Sequence, residues 1–187
     1  MGSILETERL ILRDWRDEDA ESLFKYASDD RVGPAAGWLP HKDVGYSRAV
    51  IRTLYAKDEV YAICLKGGEN EPIGNISLTL EGSPERPLSK GEGEIGYWLG
   101  YPFWGQGIAS EAVKEVLYHG FVELGLKRIY SGYFKGNNNS KKVQYKCGFK
   151  PHHVNTASRV YMLGETRIEY INCITRTDFL ATKKSQN

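Results

Sequence analysis

Three glycines lie where an apolar strand-like pattern gives way to a helical pattern, in the segment WLGYPFWGQGIASEAVKEV at residues 98–116. Gly100, Gly105 and Gly107 come directly before an apolar stripe with helical spacing. The first turn of a helix has unpaired N–H groups and a partial positive charge, and glycines let an anion approach the main chain. The pattern predicts either a phosphate-binding turn or a tight strand-to-helix turn that binds nothing.

Two common phosphate-binding motifs do not fit this turn. In GxxxxGK[ST] a lysine reaches the phosphates and a hydroxyl binds magnesium, whereas Gln106 and Gly107 stand at those positions here. In GxGxxG the last glycine allows close packing of helix on strand, and that position is Ser110 here. The sequence therefore argues against a nucleoside triphosphatase and against a dinucleotide-binding enzyme.

The elements around the turn show both strand and helix periods. Strands are predicted at residues 9–15, 60–66, 72–80, 94–99 and 128–134, followed by a pair of strands after residue 148. Helices are predicted at residues 20–27, 44–54 with some irregularity, 108–124 with Gly125 as the C-cap, and 140–147. Loops are predicted at residues 32–43 and 82–91. This order indicates an α/β or α+β domain with a mixed sheet.

Composition limits the classes of function. The chain has 187 residues with 25 Lys plus Arg against 24 Asp plus Glu, so nucleic acid is not an expected partner. Cys64, Cys147 and Cys173 lie in apolar runs without metal-ligand spacing, which favours buried thiols in a cytoplasmic protein without a metal. No segment is long and apolar enough to span a membrane, so no membrane partner is expected. We expect one domain at residues 1–180 and a polar tail at 181–187, in a monomer or a homodimer.

The run GEIGYWLG…WGQGIASEAV…ELGLKRI…NNNS…GF resembles the Gcn5-related N-acetyltransferase (GNAT) superfamily, and within it the RimJ/RimL-like branch that includes ribosomal-protein N-terminal acetyltransferases. The resemblance extends to ETERLILRDW near the start and to ITRTDF near the end. It implies a mostly antiparallel mixed sheet of about seven strands flanked by about four helices, with a splayed strand pair that holds acyl-CoA. It also implies acetyl transfer from acetyl-CoA to a primary amine, either a protein N-terminal α-amine or a small-molecule amine or amino acid.

In this family the turn reads Gln/Arg-x-x-Gly-x-Gly/Ala, and its amides hold the pyrophosphate of acetyl-CoA. Gly107 and Ala109 match the fourth and sixth positions, whereas Trp104 stands where Gln or Arg is usual. The resemblance places the pantetheine arm between the strands at 94–99 and 128–134. The residues it assigns to acetyl-CoA are Trp98, Leu99, Gly100, Trp104, Gly105, Gln106, Gly107, Ile108, Ala109, Ser110 and Asn137. Whichever role the main chain of this strand has, we expect at least two of the side chains of Tyr97, Trp98 and Leu99 to lie in the core.

The reaction needs an acid for the leaving thiolate. In many members this is a tyrosine on the helix before the Gly-Phe turn, but here that position is Gln144, and Tyr145 lies about 100° around the helix. In the RimJ/RimL-like branch a serine in Asn-x-x-Ser is assigned the role, and Asn137 with Ser140 reproduces the spacing. The alternative is that Ser140 or Asn139 only caps the helix.

Two residues are candidates for the base that accepts the ammonium proton. In the branch the segment after Gly-Phe often reads Phe-x-x-Glu, and His152 stands at the position of that glutamate. Its ordinary pKa near 6.5 leaves it mostly neutral at pH 7. Glu94 is the second candidate because the superfamily commonly places a base on this strand. We prefer His152, which begins the strand expected beside the acceptor cleft, while the alternative for His152 and His153 is a half-exposed position without a catalytic role.

The loop at residues 32–43 contributes Trp38 and His41 to the expected acceptor cleft. Trp38 either stacks on the acceptor or closes the core, and His41 and His119 are expected at the surface or on a helix face rather than as catalysts. Because Trp104 and Gln144 depart from the pattern of the wider family, a second class of function stays open, a module that binds acyl-CoA without transferring the acyl group.

Overall fold

In a computed structural model, described for residues 4–82 and 87–184, these residues form one sheet of eight strands with six α-helices around it. The strands are β1 (Leu5–Glu6), β2 (Leu10–Asp14), β3 (Val60–Leu65), β4 (Pro72–Leu80), β5 (Glu92–Leu99), β6 (Arg128–Phe134), β7 (Lys150–Val160) and β8 (Glu165–Thr175). The helices are α1 (Ala20–Ala27), α2 (Gly33–Ala36), α3 (Val44–Val50), α4 (Ile108–Tyr118), α5 (Asn138–Lys146) and α6 (Arg176–Lys184). Residues 83–86 of the predicted 82–91 loop and residues 185–187 of the predicted tail lie outside the described residues.

The strand order across the sheet is β1-β2-β3-β4-β5-β6-β8-β7. Every neighbouring pair is antiparallel except β5 with β6, which is parallel. The predicted α/β fold with a mixed, mostly antiparallel sheet is therefore confirmed. Strand β8 lies between β6 and β7, so β7 forms the edge of the sheet.

Strands β5 and β6 separate soon after they begin. They pair only at the three positions from Glu92 to Glu94, opposite Arg128 to Tyr130. Beyond this point β5 continues to Leu99 and β6 to Phe134, and between these fully described strands no further pairing occurs. The Ser131 hydroxyl donates to the Ile95 carbonyl at the fork, with 2.9 Å between the oxygens. The result is the splayed pair that the resemblance implies.

Helices cover both faces of the sheet, and the amphipathic pattern of each helix decides which side it buries. The predicted apolar stripe of α4 is buried against β4 and β5 through Ile108, Ala112, Val113, Val116 and Leu117. Burial of each of the larger side chains contributes about 1.5–3 kcal/mol. On the opposite face α1 packs against β4 and α3, and the indole of Trp98 from β5 donates to the hydroxyl of Tyr55 at 3.1 Å.

Three elements were not predicted. β1 has two residues and α2 has four, so neither is long enough to show a period. Helix α6 packs on the domain through Phe179, whose ring lies 5.2 Å from the ring of Phe121 on the α4 side. This is a tertiary contact, so the local sequence does not reveal it. The helix continues to Lys184, across the predicted domain end at residue 180.

The irregularity predicted in the second helix is a π-helical segment. α3 ends at Val50 and continues as a π-helix at Ile51–Tyr55, and α4 likewise continues as a π-helix at His119–Glu123. Gly125 then takes the left-handed conformation expected beyond a helix C-terminus, with φ of 70°.

The three cysteines are buried and unpaired, as expected, and burial raises the pKa of the thiols of Cys64, Cys147 and Cys173 to about 11. Within residues 4–82 and 87–184, none of the helices has both the length and the apolar character needed to cross a membrane.

Candidate active site

A cavity of about 530 Å³ lies in the gap between β5 and β6. The N-terminus of α4, helix α5 and the short helix α2 form its walls. The predicted site residues that line it are Glu94, Trp98, Leu99, Trp104, Gly105, Gly107, Ile108, Ala109, Ser110, Asn137 and Ser140. The splay of two strands therefore gathers, at one place, residues that are up to 46 positions apart in the chain.

The turn before α4 needs glycine because of its backbone conformation. Gly105 and Gly107 have φ of 77° and 80°, in the left-handed region that side chains rarely adopt, and Gly107 is the N-cap of α4. A Cβ atom at Gly105 would have no neighbour within 4 Å, and at Gly107 it would meet only Arg9 Nη2, at 3.6 Å. The N–H groups of the first turn of α4 are thus approachable from the cavity, which suits an anion.

Strand β2 and the residues before it hold this turn from a distant part of the chain. The guanidinium of Arg9 forms an ion pair with Glu111 at 2.6 Å and donates to the Gln106 carbonyl at 3.2 Å. The Thr7 hydroxyl donates to the same carboxylate at 2.6 Å. Burial alone would raise the pKa of Glu111, but the hydrogen bonds from Thr7 and Arg9 hold it below its ordinary value. The ionised carboxylate therefore fixes the loop in front of the helix.

Two lysines add positive charge on the same side of the cavity. Lys142 and Lys146 lie one turn apart on α5, and both line the cavity. Together with the N-terminus of α4 they form a positive side that suits the phosphates of an anionic ligand. Neither lysine was predicted as a site residue. On a short polar helix, the sequence alone does not distinguish a lysine that faces a cavity from a lysine that faces solvent.

The edge of β5 that faces the gap offers main-chain groups. The Ile95 carbonyl accepts from Ser131, and the Leu99 carbonyl accepts from the Trp104 indole at 2.8 Å. By strand alternation the main-chain groups of Tyr97, which lies midway between them, point toward the same gap. The Trp104 indole therefore takes the Leu99 carbonyl at the end of the edge. The main-chain groups of Tyr97 are left to form hydrogen bonds with an extended ligand.

A hydrogen-bonded group of side chains lies where β5 meets α5. The hydroxyls of Tyr97 and Ser140 are 2.9 Å apart, and Gln144 donates to the Ser140 hydroxyl at 3.4 Å and to the Gly132 carbonyl at 3.0 Å. Asn172 donates to the Gln144 amide oxygen at 2.8 Å. Burial raises the pKa of Tyr97, so its hydroxyl stays protonated at neutral pH. The group can therefore deliver a proton to an atom beside Ser140.

Helix α5 is capped by Asn137. The Asn137 amide oxygen accepts from the Ser140 backbone N–H at 3.0 Å, and the amide nitrogen donates to the Ala35 carbonyl at 3.2 Å. The alternative in which Ser140 or Asn139 caps the helix is therefore wrong, because α5 begins at Asn138. The hydroxyl of Ser140 is directed to Tyr97 instead.

The sequence of the chain matches those of known proteins over most of its length. The family model described as Acetyltransferase (GNAT) domain matches residues 9–150. The chain is also 34% identical over 154 residues to the protein named Uncharacterized N-acetyltransferase YoaA from Bacillus subtilis (strain 168), which covers 80% of this chain and 84% of YoaA. The chain belongs to the GNAT acetyltransferase family. It is accordingly an acyltransferase.

Solved structures share the fold of this GNAT protein. A GNAT-family acetyltransferase from Bacillus anthracis has a TM-score of 0.78 at 22% identity, covering 94% of this chain and 99% of that one. The microcin C7 self-immunity acetyltransferase MccE, in complex with acetyl-CoA and AMP, has a TM-score of 0.72 at 18% identity, covering 90% of this chain and 93% of that one. At these identities the likeness shows the fold.

The two candidate bases of this GNAT protein lie in different surroundings. Glu94 lines the cavity, on the same face of β5 as Trp98. His152 is exposed on the edge strand β7, with its ring 5.3 Å from that of Tyr130 and its Nδ1 2.8 Å from the Nδ1 of His153. His152 is not among the residues that line the cavity, although its ring reaches Tyr130 on β6. The choice between His152 and Glu94 as the base therefore stays a prediction.

Trp38 and His41 lie behind the cavity wall rather than in it. The Trp38 ring packs edge to face on Trp98 at 5.7 Å and lies 5.3 Å from His41. His41 is buried, with its Nδ1 2.8 Å from the Ser47 hydroxyl, and burial lowers its pKa to about 4. His119 is also buried, 2.9 Å from Glu59. Neither histidine lies at the surface, but His119 lies on the helical continuation of α4, as the helix-face alternative expects.

Two further predicted residues lie outside the cavity lining. A Cβ atom at Gly100 would lie 2.6 Å from the Tyr26 ring, so this glycine serves close packing. The Gln106 side chain donates to the Pro102 carbonyl at 2.7 Å, and its own carbonyl accepts from Arg9. Both residues shape the turn rather than line the gap.

Sequence reasoning missed a buried carboxylate in the cavity. Glu169 on β8 is 6% exposed, lines the cavity, and accepts from the Ser158 hydroxyl at 2.8 Å. A Cβ atom on Gly132 would lie 2.6 Å from Glu169 Oε1. The Glu169 carboxylate can therefore lie across β6 only because residue 132 is glycine. The signal was an acidic residue inside the apolar run IEYINCI, since a charge is rarely buried without a specific partner. Among the described residues no group of three metal-ligating side chains occurs.

Proposed function

We propose that this protein transfers an acetyl group from acetyl-CoA to a primary amine. The observation that carries the proposal is the cavity between β5 and β6, which has the approachable N-terminus of α4 on one side and the Tyr97–Ser140 pair beside it. The acetyl-CoA complex of the similarly folded MccE supports the choice of donor. Among acyl donors, coenzyme A thioesters combine a diphosphate with an extended arm that forms main-chain hydrogen bonds.

The donor would be held by main-chain and lysine groups. The N–H groups of Ile108 and Ala109, at the start of α4, would bind the diphosphate, and Lys142 and Lys146 would neutralise its charge. The main-chain groups of Tyr97 would pair with the amides of the pantetheine arm, as an added strand pairs with a sheet edge. Asn137 lines the same cavity, and its proposed contact with the arm stays a prediction.

The acetyl thioester supplies an electrophilic carbonyl to the cavity. Glu94 would accept a proton from the acceptor ammonium, so that the neutral nitrogen can form the new C–N bond while the C–S bond breaks. A backbone N–H on β5 would stabilise the negative charge that develops on the carbonyl oxygen. The Ser140 hydroxyl would donate a proton to the leaving sulfur, with the hydroxyl of Tyr97 behind it. The attacking nitrogen loses its second proton as the amide forms, and through solvent this proton replaces the one that Ser140 gave to the sulfur.

The acceptor is proposed at the level of a primary amine. The likeness to the RimJ/RimL-like branch favours a protein N-terminal α-amine, whose pKa near 8 requires little help from a base. A small-molecule amine or amino acid is the alternative. Buried, unpaired thiols at Cys64, Cys147 and Cys173 favour a reducing compartment, so we propose that the reaction takes place in the cytoplasm.

The proposal is tested by thiol release. Purified protein is incubated with acetyl-CoA and a panel of peptides, polyamines and amino acids, and products are identified by mass spectrometry. We expect amine-dependent release of free thiol with an acetylated product. Binding of acetyl-CoA without thiol release from any amine would instead support the acyl-CoA-binding module, and absence of acetyl-CoA binding would contradict both functions.

A further inference from the structure

A second cleft, with a volume of about 510 Å³, adjoins the active-site cavity at the end of β6. The residues that line both spaces are Ala35, Trp104, Phe134, Asn137 and Asn139. The volume of the second cleft lies within the range of about 300–1,000 Å³ that is usual for small-molecule sites. A ligand with one end in the active-site cavity can therefore extend into the second cleft with its other end.

The second cleft is lined by three cations, Arg31, Lys135 and Arg167. None of the described residues that line it is acidic. Arg31 forms an ion pair with Asp29 at 2.6 Å, whereas Lys135 is exposed and forms no ion pair within the described part of the chain. The walls of the second cleft therefore carry more positive than negative charge, which favours an anionic ligand.

Arg167 is held in the wall of the second cleft by three contacts. Its Nη1 donates to the Pro34 carbonyl at 2.6 Å, its Nε donates to Glu165 at 2.6 Å, and its Cζ lies 5.2 Å from the centre of the Phe134 ring. Each of the two Nη atoms of a guanidinium carries two N–H groups. These contacts therefore fix the orientation of the guanidinium and leave further N–H groups for an anion with two oxygens, such as a carboxylate or a phosphate.

The arginine of the second cleft and the lysines of α5 lie on opposite faces of the sheet. The lysines of α5 lie on the face to which Tyr97 extends. The next side chain, Trp98, extends to the other face and packs on Trp38, which follows α2. Arg167 binds the Pro34 carbonyl of α2, so its guanidinium belongs to this other face. The phosphates of the proposed donor have a positive side of their own, and the second cleft is a separate source of positive charge.

We infer that the second cleft binds an acidic group of the acceptor, so that the preferred acceptors are primary amines that also carry a carboxylate or a phosphate. This inference rests on the proposed function. Arg167 would bind the acidic group through its remaining N–H groups, and Lys135 and Arg31 would add the attraction of nearby charges. An acceptor with a neutral group in place of the acid would lose these contacts but could still react.

The test compares acceptors that differ in the acidic group, with acetyl-CoA and the full chain. The pairs are the dipeptide amides Ala-Asp and Ala-Asn, the small amines 4-aminobutanoate and 4-aminobutanamide, and O-phosphoethanolamine with ethanolamine. We expect the wild type to favour the acidic member of at least one pair by about tenfold or more in kcat/KM, as measured by thiol release. The preferred pair shows whether the acid is a peptide carboxylate, a small-molecule carboxylate or a phosphate. The preference should shrink in about 0.5 M KCl, because salt screens partly exposed charges.

Three variants locate the preference in the second cleft. Arg167→Gln should lower kcat/KM for the acidic acceptor about tenfold, through KM, with the value for the neutral acceptor unchanged. Lys135→Gln should lower it about two- to fivefold, because an exposed ion pair contributes less. Lys141→Gln is the matched control, since this exposed lysine of α5 lines neither space, and it should change nothing. Arg167 also joins β8 to α2, so thermal unfolding is measured in parallel, and Lys135→Gln provides the test if Arg167→Gln is unstable.

The outcomes separate this inference from the proposed function. A wild type that prefers the acidic member of none of the pairs overturns the inference while acetyl transfer stands. Folded variants that lower the acidic and neutral acceptors equally overturn it too. If Arg167→Gln and Lys135→Gln weaken binding of acetyl-CoA but not of acetyl-CoA without its 3′-phosphate, the second cleft binds the donor and the inference is again overturned. Absence of acetyl-CoA binding and of thiol release from every amine contradicts the proposed function itself.

Discussion

Substitution of Gly107 by alanine tests the phosphate-binding turn directly. The residue has φ of 80°, and an added Cβ would meet only Arg9 Nη2, at 3.6 Å, so the cost to the fold is the left-handed conformation rather than a clash. This strain is worth about 1–2 kcal/mol. For a chain of this size the melting temperature should fall by about 2–4 °C per kcal/mol. Because the Cβ would also stand in front of the first turn of α4, we expect the loss of one charge-assisted hydrogen bond to the diphosphate. This loss is worth about 1.5–3 kcal/mol, or roughly 10- to 150-fold in Kd for acetyl-CoA.

Gly125→Ala is the matched control for this experiment. Gly125 has φ of 70° and no atom within 4 Å of an added Cβ, so its alanine variant carries the same strain without obstructing the turn. Isothermal titration calorimetry measures acetyl-CoA binding, and thermal unfolding measures stability. Both variants should lose similar stability, while only Gly107→Ala should lose affinity. Equal acetyl-CoA affinity in the two variants would refute the phosphate-binding turn.

Three other predictions concern the catalytic group and the buried histidine. Ser140→Ala should lower kcat by about 100-fold with acetyl-CoA affinity nearly unchanged. Adding Tyr97→Phe should lower kcat little further, because the two hydroxyls act as one unit. Additive losses of kcat in a double-mutant cycle would contradict that coupling. Glu94→Gln should remove the acidic limb of the kcat/KM profile and most activity, whereas His152→Gln should keep both, and the reverse result in the two pH profiles would return the base to His152. Burial holds the pKa of His41 at about 4 in the folded protein, whereas the pKa is about 6.5 in the unfolded chain. Between these two pH values the unfolded state binds one more proton than the folded state. The free energy of unfolding should therefore fall by about 2 kcal/mol as the pH drops from 6.5 to 4. Urea unfolding across this range should show that slope in the wild type and a reduced slope in His41→Gln.

The turn and α4 could be predicted from the sequence because their causes are local. The conformations of Gly105 and Gly107 and the apolar stripe of α4 depend on neighbours within a few residues. The splay of β5 from β6 followed from the resemblance rather than from any period. Local signals thus located the side of the cavity that faces the proposed donor.

The side of the cavity formed by β8 could not be predicted, because it depends on strand order. His152 follows the Gly-Phe turn at the position expected for a base, yet the insertion of β8 between β6 and β7 moves its strand to the edge of the sheet. The same insertion brings Glu169 beside Gly132, although 37 positions separate them. No window of sequence contains either event, since both arise from hydrogen bonding between distant strands.

The two departures from the family pattern have structural explanations, and these bear on the choice between enzyme and binding module. Trp104 takes over the last carbonyl of β5 by its indole N–H, and Gln144 joins α5 to β6 and β8 through Gly132 and Asn172. Gln144 also reaches the Ser140 hydroxyl, so the residue that replaces the usual tyrosine supports the serine proposed as the acid. A module that only binds acyl-CoA needs the positive side of the cavity and the main-chain edge. It has no need of a hydroxyl pair beside that edge, so the Tyr97–Ser140 pair favours a chain shaped by transfer to an amine.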